Sequence, residues 1–203
     1  NRFSLMAALQ QLPCEIIDLG TQPDEPARLA QTLRHAADSA DIILTSGGVS
    51  TGDADFIPAL LAGLGEVAFW KLALKPGRPM AFGQIGAALV FGLPGNPIAA
   101  LVTFSQLVRD AILRCAGCTS LPQPLRMQAR CTTALRKSMG RREFIRATLD
   151  LSSLPPSVTP DSSQGSAMLK AMSRTSCFIV LTEEQTSIDT GDFVEVRPYA
   201  GLF

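Results

Sequence analysis

The stretch Leu44-Thr45-Ser46-Gly47-Gly48-Val49-Ser50-Thr51-Gly52-Asp53-Ala54-Asp55 constrains this chain more than any other. It follows the apolar run Asp41–Leu44, which reads as a buried parallel strand, and it leads into Phe56–Leu64, whose apolar spacing predicts a short amphipathic helix. A strand, a glycine-rich turn and a helix in that order place the turn at the carboxyl end of a strand, where open α/β sheets hold ligands. Gly47 and Gly48 allow the backbone to approach a bulky anion, and Ser46, Ser50 and Thr51 add hydroxyls. Asp53 and Asp55 add carboxylates suited to a divalent cation beside a phosphate. The alternative on this stretch alone is a tight turn with Asp53 or Asp55 capping the next helix.

Strands and helices alternate around that turn. Helix Arg2–Gln11, with Asn1 as its cap, precedes a strand at Glu15–Asp18 and the turn Gly20–Asp24. Helix Pro26–Asp38 follows, with Asp24 as cap or Glu25 in the first turn. A strand over Glu66–Leu74 runs into Lys75-Pro76-Gly77-Arg78-Pro79. Two short strands, Met80–Phe82 and Ala88–Phe91, lead to Gly92-Leu93-Pro94-Gly95-Asn96-Pro97 and a long helix to about Cys115. This order predicts right-handed βαβ units and a mainly parallel sheet covered on both faces, a three-layer α/β/α domain.

Beyond Gly117 the pattern changes. Ser120–Pro124 reads as a linker, and short strands follow at Arg126–Cys131, Glu143–Leu149, Ser157–Pro160, Phe178–Leu181 and Phe193–Arg197, with one short helix near Ser166–Met172. The expected organisation is an α/β domain over residues 1–119 and a small β-barrel or sandwich over 120–203.

Composition narrows the function classes. Acidic and basic residues balance at 18 each, so no overall field recruits nucleic acid or an anionic membrane, and an anion site must be local. No apolar run reaches membrane-spanning length, and Asn1-Arg2-Phe3-Ser4 does not open a signal peptide, so a cytoplasmic protein is expected. Five cysteines at irregular spacing argue against a disulfide framework. Cys115-Ala116-Gly117-Cys118 has redox or zinc spacing but lacks a second pair, and Gly117 suits a helix C-cap. His35 is expected as an exposed or partly packed helix residue.

Cations collect after the glycine turn. Alternation along Trp70–Lys75 puts Lys71 and Lys75 on the same side of the expected strand, and Arg78 follows on a proline-stiffened turn. Such a patch binds oxyanions through charge-assisted hydrogen bonds; ordinary solvated lysines are the competing reading. Asn96 is placed to cap the long helix, with Pro97 at its first position. Arg142, Phe144 and Arg146 share one face of a strand in the second domain.

Taken together, Thr45–Ser50, Phe69-Trp70-Lys71 with Lys75–Pro79, Gly92–Pro97 and Gly140-Arg141-Arg142-Glu143-Phe144 resemble the MoeA/gephyrin E-domain family of molybdopterin molybdenumtransferases. The resemblance implies a MogA-like molybdopterin-binding domain followed by a C-terminal β-barrel, with the family's N-terminal domains missing, which agrees with a chain that opens abruptly on a helix. It implies insertion of molybdenum from molybdate into adenylylated molybdopterin, with Mg²⁺-dependent release of AMP. Carried over by position, Asp24, Asp55, Lys71 and Lys75 match catalytic residues, with Asp55 and Asp24 holding the metal. Thr45, Ser46, Gly47, Gly48 and Ser50 match the pterin-phosphate loop, and Arg78, Arg146 and Ser166 match contacts to molybdate or phosphate. Thr51 and Arg78 depart from the family pattern, lysine being frequent at the second. The family's active site draws on two subunits, which implies a homodimer of the full-length protein and weak binding and catalysis by this stretch alone. A molybdopterin adenylyltransferase is a further partner that the resemblance implies. Two other classes stay open: an adenylyltransferase-type nucleotide-binding enzyme, and a non-catalytic gephyrin-like scaffold.

Overall fold

The computed structural model describes residues 1–48, 57–164, 172–200 and 202. The chain divides into two compact units, Asn1–Leu72 with Gly77–Leu121, and Ala73–Pro76 with Pro122–Phe203.

The first unit is an α/β structure. Helices α1 (Arg2–Leu9), α2 (Pro26–Ser39) and α3 (Ile57–Leu64) alternate with β1 (Ile42–Ser46) and β2 (Glu66–Lys71). The hairpin β4 (Pro79–Ile85) and β5 (Ala88–Leu93) follows, and then α4 (Pro97–Thr103), a π-helical turn at Phe104–Val108 and α5 (Arg109–Cys115). Leu33 and Ala36 of α2 and Leu61 of α3 share a stripe that buries against Ile43, Ala81, Ile85, Ala88 and Val90 of the sheet. Phe91, of opposite parity to Val90, is buried as well, α4 packs on β5, and α1 packs on α4. Helices therefore cover β5 on both faces, which is why it reads as an unbroken apolar run.

The sheet order is β1-β5-β4-β2. Its pairing is less parallel than the alternation predicts: β1 and β5 are parallel, whereas β4 is antiparallel to both β5 and β2. Only Gly86 and Ala87 separate β5 from β4, and a two-residue link makes a hairpin, since a parallel return needs a dozen residues or more. The expected strand at Glu15–Asp18 is irregular chain instead, with Ile17 exposed and no ladder partner among the described residues. Arg2 holds the Asp18 carboxylate through Nε and Nη2 at 2.6–3.0 Å. Glu25, not Asp24, occupies the N-cap position of α2, without a side-chain bond, and Pro26 stands in the first turn.

The second unit is a closed five-stranded barrel. Its strands are β6 (Met127–Cys131), β8 (Arg142–Asp150), β9 (Ser157–Pro160), β10 (Cys177–Leu181) and β12 (Phe193–Pro198), in the order β10-β12-β6-β9-β8 and closed by β8 on β10. Ala129, Cys131, Ala147, Val158, Cys177, Ile179, Leu181, Val194 and Val196 alternate inward and fill it. Two residue pairs, β7 (Leu135–Arg136) and β11 (Ser187–Ile188), form a separate short ladder. The single strand expected over Glu66–Leu74 breaks at Leu72. Leu74–Lys75 is a separate strand, β3, which joins the barrel sheet in parallel with β8. Lys71 and Lys75 therefore do not share one side of one strand. The expected helix near Ser166–Met172 lies almost wholly outside the described residues.

Candidate functional site

Strand register decides what meets at the rim of the first unit. Ser46 at the end of β1 lies opposite Leu93 at the end of β5, Gly92 lies opposite Ala81 near the start of β4, and Pro79 lies opposite Lys71 at the end of β2. The glycine turn, the Gly92–Pro97 turn, Arg78 and Lys71 thus occupy one edge of a four-stranded sheet. Three strand spacings of roughly 4.8 Å put the backbone of Lys71 about 14 Å from that of Ser46, a span that one elongated phosphate-bearing ligand can bridge.

Gly47 and Gly48 have φ of +94° and +69°, left-handed conformations that L side chains rarely adopt. A Cβ at Gly47 would meet nothing within 4 Å, so backbone conformation selects glycine there. The Gly47 N–H donates to the Leu93 carbonyl at 3.1 Å, and Gly95 lies close enough that its ideal Cβ would sit 3.5 Å from the Gly47 Cα. The two glycine turns therefore lie against each other. Asn1 fastens them: its Nδ2 donates to the Gly95 carbonyl at 2.8 Å, to the Pro94 carbonyl at 3.4 Å and to the Ser46 hydroxyl. Ser46 Oγ in turn donates to the Pro94 carbonyl at 3.4 Å. Asn96 behaves as the sequence predicts: its Oδ1 accepts from the Ile98 and Ala99 N–H groups at 3.1 Å, and Pro97 opens α4.

Thr45 Oγ1 is buried with no hydrogen-bond partner among the described residues. Leaving a buried hydroxyl unpaired costs about 1–3 kcal/mol, so an acceptor or donor brought by a ligand has a place there. Lys71 and Arg78 are exposed, and the Arg78 carbonyl accepts the Leu72 N–H at 2.7 Å, which closes the loop between them. Asp24 is exposed on the turn before α2. Ser50, Asp55 and Ser166 lie outside the described residues, as do Thr51 and Asp53. Among the described residues no group of three or more His, Cys, Asp or Glu could cage a metal. Mg²⁺ is commonly bound by one or two carboxylates plus substrate phosphates, and the chemistry of Asp24 fits that use.

In the barrel unit, Lys75 lies opposite Glu143 across the β3–β8 pair. Its Nζ is 3.2 and 3.1 Å from the two carboxylate oxygens. The Glu143 side chain is 7% exposed and that of Lys75 52%. Arg146 is almost fully buried: its Nη2 donates to the Ser163 carbonyl, and Nε lies 3.7 Å from Asp161 Oδ2. Gln164 bridges the Arg146 backbone at both N–H and carbonyl, so the guanidinium is fixed to the 161–164 loop. Phe144 and Phe178 meet edge to face with centroids 5.9 Å apart, and the Arg197 guanidinium lies 5.7 Å from the Phe144 centroid. Nearby, Tyr199 and Thr175 share a hydroxyl–hydroxyl bond of 2.8 Å, and burial pushes the Tyr199 phenol up to about 12.

The cysteines show no metal or redox arrangement among the described residues. All five are free, Cys118 Sγ donates to the Ser120 carbonyl at 3.0 Å, and burial pushes the Cys177 thiol up to about 11. His35 is exposed on α2. Two features had no sequence signal: Glu143 as partner of Lys75, 68 positions away, and the diversion of Asn1 from its helix.

Residues 1–114 match the family described as a probable molybdopterin binding domain, and residues 128–199 match the MoeA C-terminal region, its domain IV. The chain belongs to the MoeA family. It is 41% identical over 203 residues to the molybdopterin molybdenumtransferase of Haemophilus influenzae, covering 100% of this chain and 50% of that one. The namesake from Nostoc sp. is 32% identical over 201 residues, covering 97% of this chain and 46% of that one. Two crystal structures of the molybdopterin biosynthesis moeA protein from Pyrococcus horikoshii superpose with TM-scores of 0.78. One is 29% identical and covers 99% of this chain and 48% of its own; the other, at 21% identity, covers 98% and 46% and bears on the fold alone. The chain spans about half the length of the curated relatives that it matches. No helix among its described residues is long and apolar enough to cross a membrane.

Proposed function

We propose that this MoeA-family chain is the molybdopterin-handling part of a molybdopterin molybdenumtransferase. It would bind adenylylated molybdopterin and molybdate, insert molybdenum into the dithiolene and release AMP. The observation that carries the reading is the shared rim: register alone sets the left-handed Gly47–Gly48 turn, Arg78 and Lys71 on one edge of the sheet. The name of the relatives supplies the reaction class.

In this reading Thr45, Ser46, Gly47, Gly48 and Ser50 form the turn that cradles phosphate, with the Gly48 N–H and the Thr45 hydroxyl as donors, while the Gly47 N–H and the Ser46 hydroxyl hold the turn to the Leu93 and Pro94 carbonyls. In the first unit Lys71 and Arg78, and in the second Lys75, Arg146 and Ser166, would hold phosphate or molybdate oxygens and offset charge as the phosphoanhydride breaks. No protein nucleophile is needed, because positioning and charge supply the catalysis. Asp55 and Asp24 would hold Mg²⁺, which when bound supplies positive charge to the phosphoanhydride oxygens. Functional domains at 1–119 and 120–203 follow from the same reading, as do a cytoplasmic setting and delivery of substrate by a molybdopterin adenylyltransferase. A homodimer is supported by exposed apolar side chains on the first unit. Trp70, 56% exposed, and Phe82, 39% exposed, stand on the same face of the β2–β4 edge.

The deciding experiment is molybdate-dependent AMP release from adenylylated molybdopterin by the full-length protein, run beside an assay for ATP-dependent adenylylation. Asp24→Asn and Asp55→Ala are expected to lower AMP release at least about 100-fold with folding intact, as removal of charge-stabilising groups does. ATP-dependent adenylylation, or AMP release unaffected in both variants, would overturn the assignment.

A further inference from the structure

Asparagine at the start of a helix ordinarily spends its side chain on the first free N–H groups. Asn1 stands at the N-cap position of α1 and makes no such bond. Its Nδ2 instead reaches 45 positions along the chain to Ser46 and 93 and 94 positions to Pro94 and Gly95. The residues it joins belong to two different turns, each at the end of a strand in the β1–β5 pair. Two carbonyl oxygens and a hydroxyl oxygen converge on one amide nitrogen, and every one of these contacts uses Asn1 as donor. A helix cap would use it as acceptor.

We propose that Asn1 is a positioning residue for the phosphate-binding turn, pinning Thr45–Gly48 to Pro94–Gly95 through its amide N–H groups; this rests on the reading of that turn given above. The pin leaves the Gly47–Gly48 backbone no freedom to drift from β5, where the Gly47 N–H is held by the Leu93 carbonyl, so the Gly48 N–H meets the ligand already ordered. Asn1 touches no reacting atom.

The donor requirement separates pinning from capping. Aspartate and serine cap as well as asparagine, yet neither carries an amide donor, and aspartate sets a carboxylate against two carbonyl oxygens. The test compares Asn1→Asp and Asn1→Ser with the unaltered full-length protein by amide hydrogen exchange at Gly47 and by titration with AMP. Pinning gives exchange at Gly47 faster by about tenfold in both variants, with AMP bound about tenfold more weakly and the thermal midpoint held within a few degrees. Unchanged Gly47 exchange in both variants would overturn the proposal, as would full retention of AMP affinity. Faster exchange in both variants of a chain that never binds AMP would support the pin and count against the phosphate-binding role of the turn.

Discussion

Glu143 and Lys75 illustrate how unequal the two halves of one ion pair can be. The ammonium is half exposed, so the pair itself contributes little, on the order of 0–1 kcal/mol. Removing the lysine, however, strands a carboxylate that is 7% exposed. Lys75→Met is therefore expected to destabilise the barrel by about 1–3 kcal/mol in urea denaturation, and Glu143→Gln, which leaves no buried charge behind, by less. The reverse ranking would show that the carboxylate finds other partners. Cys177 gives a pH dependence with a definite sign. Its folded pKa is raised from 9.0 to about 11, so its contribution is fully present below pH 9 and is lost as pH rises through 11. Tyr199, raised from 10.0 to about 12, continues the loss at higher pH. Unfolding free energy is expected to fall between pH 8.5 and about 10.5, and Cys177→Ala, though less stable at neutral pH, should show a shallower slope. At this scale the sequence was informative about residue type and silent about partners. Asn96 could be read as a cap because its partners are two and three positions away, whereas the partners of Asn1 and Lys75 come from ladders that no local pattern encodes.

The Lys75–Pro79 segment shows the same limit among elements. Alternation from Trp70 to Lys75 looks like one strand, but the chain leaves the first sheet at Lys71 and supplies β3 to the second. Existence of helices and strands was legible wherever apolar spacing was strong, as in α2, β5 and the five barrel strands. Pairing direction was not, because it depended on the two-residue link between β4 and β5 rather than on strand composition. Where this segment returns to the first unit, Gly77 has φ of +117°, and its ideal Cβ would lie 2.7 Å from the buried hydroxyl of Thr103, which has no hydrogen-bond partner among the described residues. The next residues of that helix form the π-helical turn. Gly77→Ala is expected to cost about 2–4 kcal/mol, from backbone strain plus the collision. Adding Thr103→Ala should recover the steric part and leave the strain, a non-additivity readable from urea midpoints of the two single variants and the double. Strict additivity would mean that the hydroxyl and the loop do not meet.

Across the whole molecule, the division into two units is legible in the sequence as a change from long periodic segments to short strands after Gly117. The exchange of Ala73–Pro76 is not, since four residues carry no compositional signal. A barrel made from residues 122–203 alone lacks the Ala73 carbonyl that accepts the Arg142 N–H at 2.8 Å, and it lacks the partner of Glu143. It is expected to be less stable than the same unit in the intact chain by about 2–4 kcal/mol, the sum of a backbone hydrogen bond and a stranded carboxylate. Hydrogen exchange at Arg142, slow in the intact chain and fast in the isolated piece, would locate the loss.

The chain passes between units after Leu72, after Pro76 and after Leu121. A single recombination break at Leu121 would hand a descendant the five barrel strands without the added strand β3, and would leave the donor with an orphaned loop between Leu72 and Gly77. A chimaera that exchanges the barrel between relatives therefore keeps its full stability only if Ala73–Pro76 travels with it.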